Sequence, residues 1–252
     1  MRDINKYKED YVANQKFEDV LVKYRRIKSI EFLKKNNPRQ VIELGCATES
    51  AIRNFVKNNE QQLLKRNFEW IIIEPNQDFI DINKSKCTYS DIKFYNNFFE
   101  DVNIEMLKIT SSTCIICDGL LHEVPDLEIF MNQLKLACDF GAKCHLSVPN
   151  SNSLHRIIGK EMNMINELTD LSERNKVLQQ HAVFSMNSLK DEINKYGLFI
   201  EDEGGFFIKP FTHNQMESID FLDNDILDGL YKSGEKYPEI SAEIFVNFSS
   251  KN

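Results

Sequence analysis

Two of the five histidines in this chain, His122 and His181, are placed where a side chain could take up a proton near neutral pH. His122 follows the buried run TCIICD, and His181 stands in a segment between two later strands. A histidine close to an acceptor hydroxyl can act as its general base. We therefore predict these two as catalytic candidates. His145 stands inside a predicted strand, where a core or paired role is expected, and His213 stands in a loop.

A turn with a single glycine follows the first predicted strand, in VIELGCATES (41–50). A dinucleotide site needs G-x-G-x-x-G, but Ala47 and Ser50 replace its second and third glycines. S-adenosylmethionine has no phosphate, so one close backbone approach at Gly45 is sufficient for it. Glu74 ends the next strand, WIIIEP, where a carboxylate can accept hydrogen bonds from both ribose hydroxyls. The alternative is that Glu74 caps the following helix.

These residues must be positioned by alternating strands and helices. Short apolar runs predict strands in QVIELG, WIIIEP, IKFYNNFF, TCIICD and KCHLSVP, with LFIEDE and AEIFVNFS after them. Strand–helix repeats predict a parallel sheet covered by helices. We therefore predict an α/β, Rossmann-like fold. Its sheet has seven strands and is mostly parallel, with helices on both faces and one antiparallel strand near the C-terminus.

The composition excludes several functional classes. A net charge of −8 argues against a nucleic-acid partner, and the densest basic stretch, KYRRIK (23–28), is interpreted as a solvated helix face. No apolar run is long enough to predict a membrane span, and the N-terminus has no secretion signal. Cys114 and Cys117 are three apart in a strand and should face opposite ways, so no metal site is predicted. Unpaired buried thiols favour a reducing cytoplasm.

Five stretches in order resemble the motifs of class I S-adenosylmethionine-dependent methyltransferases: VIELGCA, IIIEP, FYNNFFED, ICDGLLHEVPD and GAKCHLSVPNSNSLHRIIG. The last is similar to a stretch in ubiquinone-biosynthesis-like O-methyltransferases and in relatives from capsule and natural-product clusters. The resemblance covers about residues 38–215. The chain departs from the family in having one glycine in the first turn, Phe98 where an acid is common, and Thr113 where the fourth strand normally begins with an acid.

The resemblance implies S-adenosyl-L-methionine as cofactor, with S-adenosyl-L-homocysteine as product. The implied cofactor-binding residues are Glu43, Gly45, Cys46, Ala47, Glu74, Pro75, Phe98, Phe99, Asp118 and Leu120. The implied substrate-binding residues are Glu123, Asn150, His155 and Arg156. Three alternatives stay open: Phe98 and Phe99 as core, Glu123 as the start of a helix, and Arg156 as a surface residue instead of a ligand for an anionic substrate.

The implied reaction is methyl transfer to an oxygen of a small molecule, such as a surface-glycan, capsule or specialised-metabolite precursor. The alternatives are an N-methyltransferase, a non-catalytic binding protein of this fold and, more distantly, a dinucleotide oxidoreductase. Residues 1–38 are interpreted as a helical cap, and residues 39–252 as the methyltransferase domain. Within that domain, 151–185 and 204–240 are interpreted as substrate-side insertions. The sequence leaves the oligomeric state open, including a homodimer.

Overall fold

The structure, a computed structural model, describes residues 3–13, 17–56, 68–87, 89 and 91–251. Its strands are β1 (Gln40–Leu44), β2 (Glu69–Ile73), β3 (Ile92–Tyr95), β4 (Thr113–Asp118), β5 (Lys143–Pro149), β6 (Leu198–Phe206) and β7 (Glu243–Ser250). Its α-helices are α1 (Ile4–Ala13), α2 (Glu18–Asn36), α3 (Ile52–Val56), α4 (Gln77–Lys86), α5 (Leu127–Asp139), α6 (Leu154–Glu161), α7 (Glu173–Val177), α8 (Met186–Lys195), α9 (His213–Glu217) and α10 (Asn224–Lys236).

The strands form one sheet in the order β3-β2-β1-β4-β5-β7-β6. β1 pairs in parallel with β2 and β4, and the parallel pairing continues to β3 and β5. β7 is antiparallel to both β5 and β6. The predicted seven-stranded, mostly parallel sheet with one antiparallel strand near the C-terminus is therefore confirmed.

Apolar side chains fill both faces of the sheet. Cys114 belongs to the cluster under α2 and α3, whereas Cys117 belongs to the cluster under α5. The two thiols thus lie on opposite faces, as the period of a strand predicts. His145 is buried on the face under α2, where its ring packs against Phe32, and its Nδ1 lies 2.6 Å from Asn247 Oδ1, which confirms the expected core or paired role.

Helix α8 begins at Met186, because Ser185 is its N-cap and Ser188 is the other half of the same capping box. One predicted strand is longer in the structure. β6 continues beyond LFIEDE to Phe206, so residues 204–206 belong to the sheet.

The interpretation of KYRRIK as a solvated face is wrong. Arg25 and Arg26 are only 7% and 6% exposed, because α2 packs along the sheet against β4 and β5. Buried carboxylates from the sheet neutralise both guanidinium groups: Arg25 Nη2 lies 2.8 Å from Glu243 Oε1, and Arg26 Nη1 lies 3.1 Å from Asp118 Oδ2. Burial without such partners would be costly.

Gly234 brings α10 unusually close to the end of β6. A Cβ atom at Gly234 would lie 2.1 Å from the backbone nitrogen of Phe207, a distance that no side chain can occupy. The backbone N–H groups of Phe207 and Ile208 donate to the carbonyls of Tyr231 and Leu230 at 3.3 and 2.9 Å. The absence of a side chain at Gly234 therefore allows these hydrogen bonds to hold the strand end against the helix.

None of the helices in the described ranges has the length and apolar character needed to cross a membrane.

Candidate active site

A cavity of about 1410 Å³, its open mouth included, lies across the carboxyl ends of β1, β2, β4 and β5. Parallel sheets bind their ligands at this edge. We call one part the sheet end, lined by Gly45, Ala47, Glu74, Asp118 and Leu120. We call the opposite part the cationic end, lined by Glu18, Arg25, Arg174, Lys209 and His213.

The loop after β1 approaches the sheet end with bare backbone. Gly45 has φ +69° and Ala47 has φ +45°, so both lie in the left-handed region. A Cβ atom at Gly45 would come within 3.3 Å of Leu120 Cδ2. Any other residue at position 45 would combine an unfavourable positive φ with a tight contact to Leu120, and this fits the predicted need for a glycine in this turn.

Glu74 lies at the end of β2 and faces the same loop. Its side chain is buried and lines the cavity. One carboxylate oxygen accepts from Ala47 N at 3.2 Å, and the other accepts from Asn76 N at 2.9 Å. Cys46 Sγ also lies 3.9 Å from the oxygen that accepts from Ala47 N. A carboxylate offers about four lone-pair sites, so its position at the strand end suits hydrogen bonds from sugar hydroxyls. The helix-capping alternative does not describe it, since Asn76 caps α4.

A smaller apolar pocket of about 410 Å³ joins the sheet end, and Gly45, Pro75 and Leu120 line both cavities. Phe98 lines this pocket with a partly buried ring. Phe99 is also core, because its ring packs edge-on against Phe130 at 5.3 Å. An apolar pocket thus lies beside the carboxylate of Glu74.

Two other residues predicted to bind the cofactor are held inside the protein. Glu43 accepts from Ala51 N at 2.9 Å, from Trp70 Nε1 at 3.0 Å and from the Ser50 hydroxyl, and it does not line the cavity. Cys46 is fully buried beneath the turn. Glu43 and Cys46 thus support the loop from behind.

Asp118 lines the cavity, but its carboxylate is already bonded. It accepts from Ser147 Oγ at 2.9 Å, from Arg26 Nη1 at 3.1 Å and from Ser29 Oγ. Burial would raise the pKa of Asp118, but the hydrogen bond and charge of His145, together with Arg26, hold it well below its usual range. Asp118 is therefore a fixed anion that anchors α2 to the strand ends.

The two predicted bases differ in position. His122 is 5% exposed and lines the cavity one turn after β4. His181 lies in an irregular segment between α7 and α8, with an exposed side chain that does not line the cavity. The two residues meet only through backbone, where His181 N donates to His122 O at 2.9 Å.

Glu123 connects the cavity wall to the N-terminal helix. Its carboxylate accepts from Tyr7 Oη at 3.0 Å and from Gln180 Nε2 at 3.4 Å, and it lies 3.8 Å from His122 Nε2. Asn76 Nδ2 also donates to Ile4 O at 3.3 Å. Helix α1 thus crosses the mouth of the cavity at the strand ends.

The predicted substrate residues after β5 all line the cavity. Asn150 donates to the carbonyls of Ser241 and Glu239 at 2.9 and 3.1 Å, which fixes the β5 turn to β7. Arg156 donates to the carbonyls of Leu168 and Asp170 at 2.8 and 2.5 Å and so holds that loop.

Lys209 is the central residue of the cationic end. Its side chain is only 3% exposed, and Nζ lies 3.0 Å from His213 Nδ1. His213 Nε2 in turn lies 3.1 Å from Glu18 Oε2. Burial lowers the pKa of Lys209 to about 7. The charge of Glu18 partly opposes this shift, and the charge of Arg174 adds to it. Burial and Lys209 lower the pKa of His213 to about 4.

With this geometry in place, we compared the chain with known proteins. No protein-family model and no curated protein matches it. Solved structures do. The plantazolicin methyltransferase BpumL, in complex with a triazolic desmethylPZN analog and SAH, is 12% identical with a TM-score of 0.57, and the match covers 99% of this chain and 98% of that one. This is the fold of S-adenosylmethionine-dependent methyltransferases.

Two further methyltransferase structures agree. The methyltransferase domain of bacterial CtHen1 is 11% identical with a TM-score of 0.56, over 91% of this chain and 99% of that one. An S-adenosylmethionine-dependent methyltransferase from Mesorhizobium loti is 8% identical with a TM-score of 0.51, over 83% and 90%. At these identities the comparison establishes the methyltransferase fold.

Charged and polar residues that line the cavity but were not predicted include Tyr7, Glu18, Arg25, Arg174 and Lys209. A signal existed for Arg25, because it stands four residues after Leu21 and seven before Phe32, on the apolar face of α2. Lys209 stands alone in KPFTH without a motif, and its partners Glu18 and Arg174 are distant in sequence.

Proposed function

We propose that this protein transfers a methyl group from S-adenosylmethionine to an oxygen of a small molecule bound in the same cavity. The observation that carries the proposal is the continuity of the cavity. The cavity runs from the turn at Gly45 and the carboxylate of Glu74 at the sheet end to the charged side chains of the cationic end. The fold of known methyltransferases supports it independently.

The cofactor, when bound, supplies the electrophilic methyl group, and the protein supplies position. Gly45 leaves room for the amino-acid portion, Glu74 holds the ribose, and the pocket beside Pro75 and Phe98 holds adenine. Helix α1 covers the mouth through Tyr7 and Glu123 and excludes water.

We propose His122 as the base that removes the acceptor proton, because its imidazole is buried in the cavity wall directly after β4. His181 is the weaker candidate, since only its backbone contacts this wall. A proton-accepting group beside the donor favours an oxygen acceptor, whose hydroxyl must lose its proton during transfer. The acceptor class that the neighbours support is a natural product, as in BpumL; a glycan precursor is the alternative from the sequence.

Calorimetric titration with S-adenosylmethionine and S-adenosylhomocysteine tests the cofactor site. Wild-type protein should bind both, and Glu74→Ala should weaken binding at least about tenfold, since two charge-assisted hydrogen bonds are lost. Glu49→Ala removes an exposed carboxylate near the same loop and should bind normally. An absence of binding by the wild type would favour a non-catalytic protein of this fold.

Turnover needs the acceptor, which a deuterated methyl donor can reveal. Incubation of the protein with the labelled cofactor and a metabolite extract should give a labelled product, whose fragmentation distinguishes O- from N-methylation. His122→Ala should lower the rate about 100-fold or more while cofactor affinity stays near wild type. An unchanged rate would remove His122 from the mechanism.

A further inference from the structure

We propose that the cationic end binds an anionic group of the methyl acceptor, a carboxylate or a phosphate, with Lys209 as its central ligand. The inference rests on the proposed methyl transfer for the identity of the ligand as an acceptor. The anion site itself follows from the contacts of Lys209 alone.

Lys209 is a buried amine without an acidic partner. Within the part of the chain that the structure describes, its Nζ forms no ion pair, and its side-chain hydrogen bond goes to the imidazole of His213. By contrast, every arginine that lines this cavity except Arg156 has a carboxylate within ion-pair distance. A buried ammonium of this kind is costly unless a ligand supplies the counter-charge.

The orientation of His213 leaves Lys209 available to a ligand. Glu18 accepts from His213 Nε2, so the neutral ring carries its proton there and Nδ1 is an acceptor. Lys209 therefore donates one N–H to Nδ1, and its remaining hydrogen-bonding capacity faces the cavity that it lines. The imidazole orients the amine without neutralising it.

Neighbouring side chains add to the demand for an anion. Among the described residues, the buried Nδ1 atom of His155 has no hydrogen-bond partner, and its residue lines the same cavity. Burial and the charge of Lys209 lower the pKa of His155 well below its usual range. Arg174 and Arg156 also oppose a proton on Lys209.

The carboxylates of this end are already shared. Glu18 lies 3.0 Å from Arg25, 3.4 Å from Arg174 and 3.1 Å from His213, and Glu243 lies 2.8 Å from Arg25. Glu18 and Glu243 thus balance the charges of Arg25 and Arg174, which leaves no carboxylate for Lys209 within the described part of the chain. One bound anion would balance the proton that Lys209 takes up on binding.

The test is calorimetric titration of the S-adenosylhomocysteine-loaded protein at about pH 8 with sulfate, which stands in for a phosphate group, and with acetate, which stands in for a carboxylate. Each titration is repeated in buffers of different ionisation enthalpy to count protons. We expect saturable binding of at least one anion with uptake of close to one proton, because Lys209 is mostly neutral at that pH. The preferred probe identifies the anion class.

Lys209→Met should weaken anion binding about tenfold or more and abolish the proton uptake. Lys190→Met, which removes a lysine paired with Glu203 on the surface, is the matched control and should behave as wild type. Lys209→Arg keeps the charge and should retain binding without proton uptake. Affinity for S-adenosylhomocysteine is measured in each variant to show that the cavity is intact.

Two results would overturn the proposal: no saturable binding of sulfate or acetate by the wild type, or binding that Lys209→Met leaves unchanged. Neither result bears on the cofactor site, whose failure would appear as a loss of S-adenosylhomocysteine binding in the wild type. Anion binding by a protein that does not bind the cofactor would keep the site and remove its role in methyl transfer.

Discussion

The two ends of the cavity treat buried charge differently. At the sheet end, Glu74 accepts from two backbone N–H groups, and Asp118 accepts from Arg26 and two hydroxyls. At the cationic end, Lys209 has a neutral imidazole as its hydrogen-bond partner. The buried carboxylates of the first end are held by hydrogen bonds within the protein, whereas the buried amine of the second end has no carboxylate within ion-pair distance among the described residues.

The difference follows from the elements that build each end. Strand ends and the turns after them present backbone N–H groups, which suit carboxylates and hold them in one geometry. The cationic end is assembled from α2, α6, α7, α9 and the segment after β6, which contribute long flexible side chains. A preorganised end suits an invariant cofactor, whereas side chains from several helices suit a particular acceptor.

The largest expected effect is at the sheet end. Arg26→Met would leave the carboxylates of Glu43 and Asp118 buried without their guanidinium, and should lower the free energy of unfolding by about 3–5 kcal/mol in a urea titration. Arg53→Met removes an exposed pair with Glu49 and should cost less than about 1 kcal/mol. Equal losses in both variants would show that burial of the pair on α2 is unimportant.

Gly45→Val tests whether the sheet end is shaped by bare backbone. A branched side chain at φ +69° next to Leu120 is strained and takes up space beside the turn where the cofactor is proposed to bind. The affinity for S-adenosylhomocysteine should therefore fall by about 100-fold or more. Gly229→Val, in a helix with open space around it, should keep wild-type affinity. Circular dichroism checks that both variants fold, and full affinity in Gly45→Val would show that the cofactor lies elsewhere.

Lys209→Met tests the cost of the buried Lys209 ammonium through the free energy of unfolding. The amine has a pKa near its usual value of 10.5 when unfolded and about 7 when folded, so the unfolded state binds more protons between these values and stability rises with pH there. The cost of the buried ammonium is therefore greatest below about pH 7. The methionine variant should be more stable than wild type by about 2 kcal/mol at about pH 6, and this advantage should shrink toward zero by about pH 10. If the free energies of unfolding of the variant and the wild type differed by the same amount at every pH, the lowered pKa of Lys209 would be wrong.

The smallest effect concerns helix α1, which crosses the mouth of the cavity at the strand ends. Tyr7→Phe removes the hydroxyl that donates to Glu123, and should lower the free energy of unfolding by about 0.5–1.5 kcal/mol. Cofactor dissociation measured by stopped flow should become faster, since α1 is held less firmly. Tyr237→Phe, at an exposed tyrosine, serves as the control.

Much of the fold could be predicted from sequence because its signals are local. TCIICD and KCHLSVP are strands with the predicted limits. The centre of TCIICD is a continuous apolar run, as expected of a strand buried on both faces. The turn at Gly45 and the carboxylate at Glu74 were placed by their position after such runs. Both lie at one edge because parallel strands end together.

The cationic end could not be predicted in the same way. Arg25 and Arg26 pair with Glu243 and Asp118, which are far away in sequence, and a helical pattern does not reveal such partners. His181 was placed in the cavity from its segment, yet an irregular backbone turns its side chain outward. Lys209 acquires its properties from burial, which composition and spacing do not report.

The contact at Gly234 gives the outer helix an influence on the chamber within. Lys209 follows directly after the two residues that α10 holds by their backbones, so the position of its amine depends on how closely that helix approaches. Any side chain larger than hydrogen at 234 would push the helix outward and carry the lysine with it. Acceptor preference could thus evolve through a residue that no ligand ever touches.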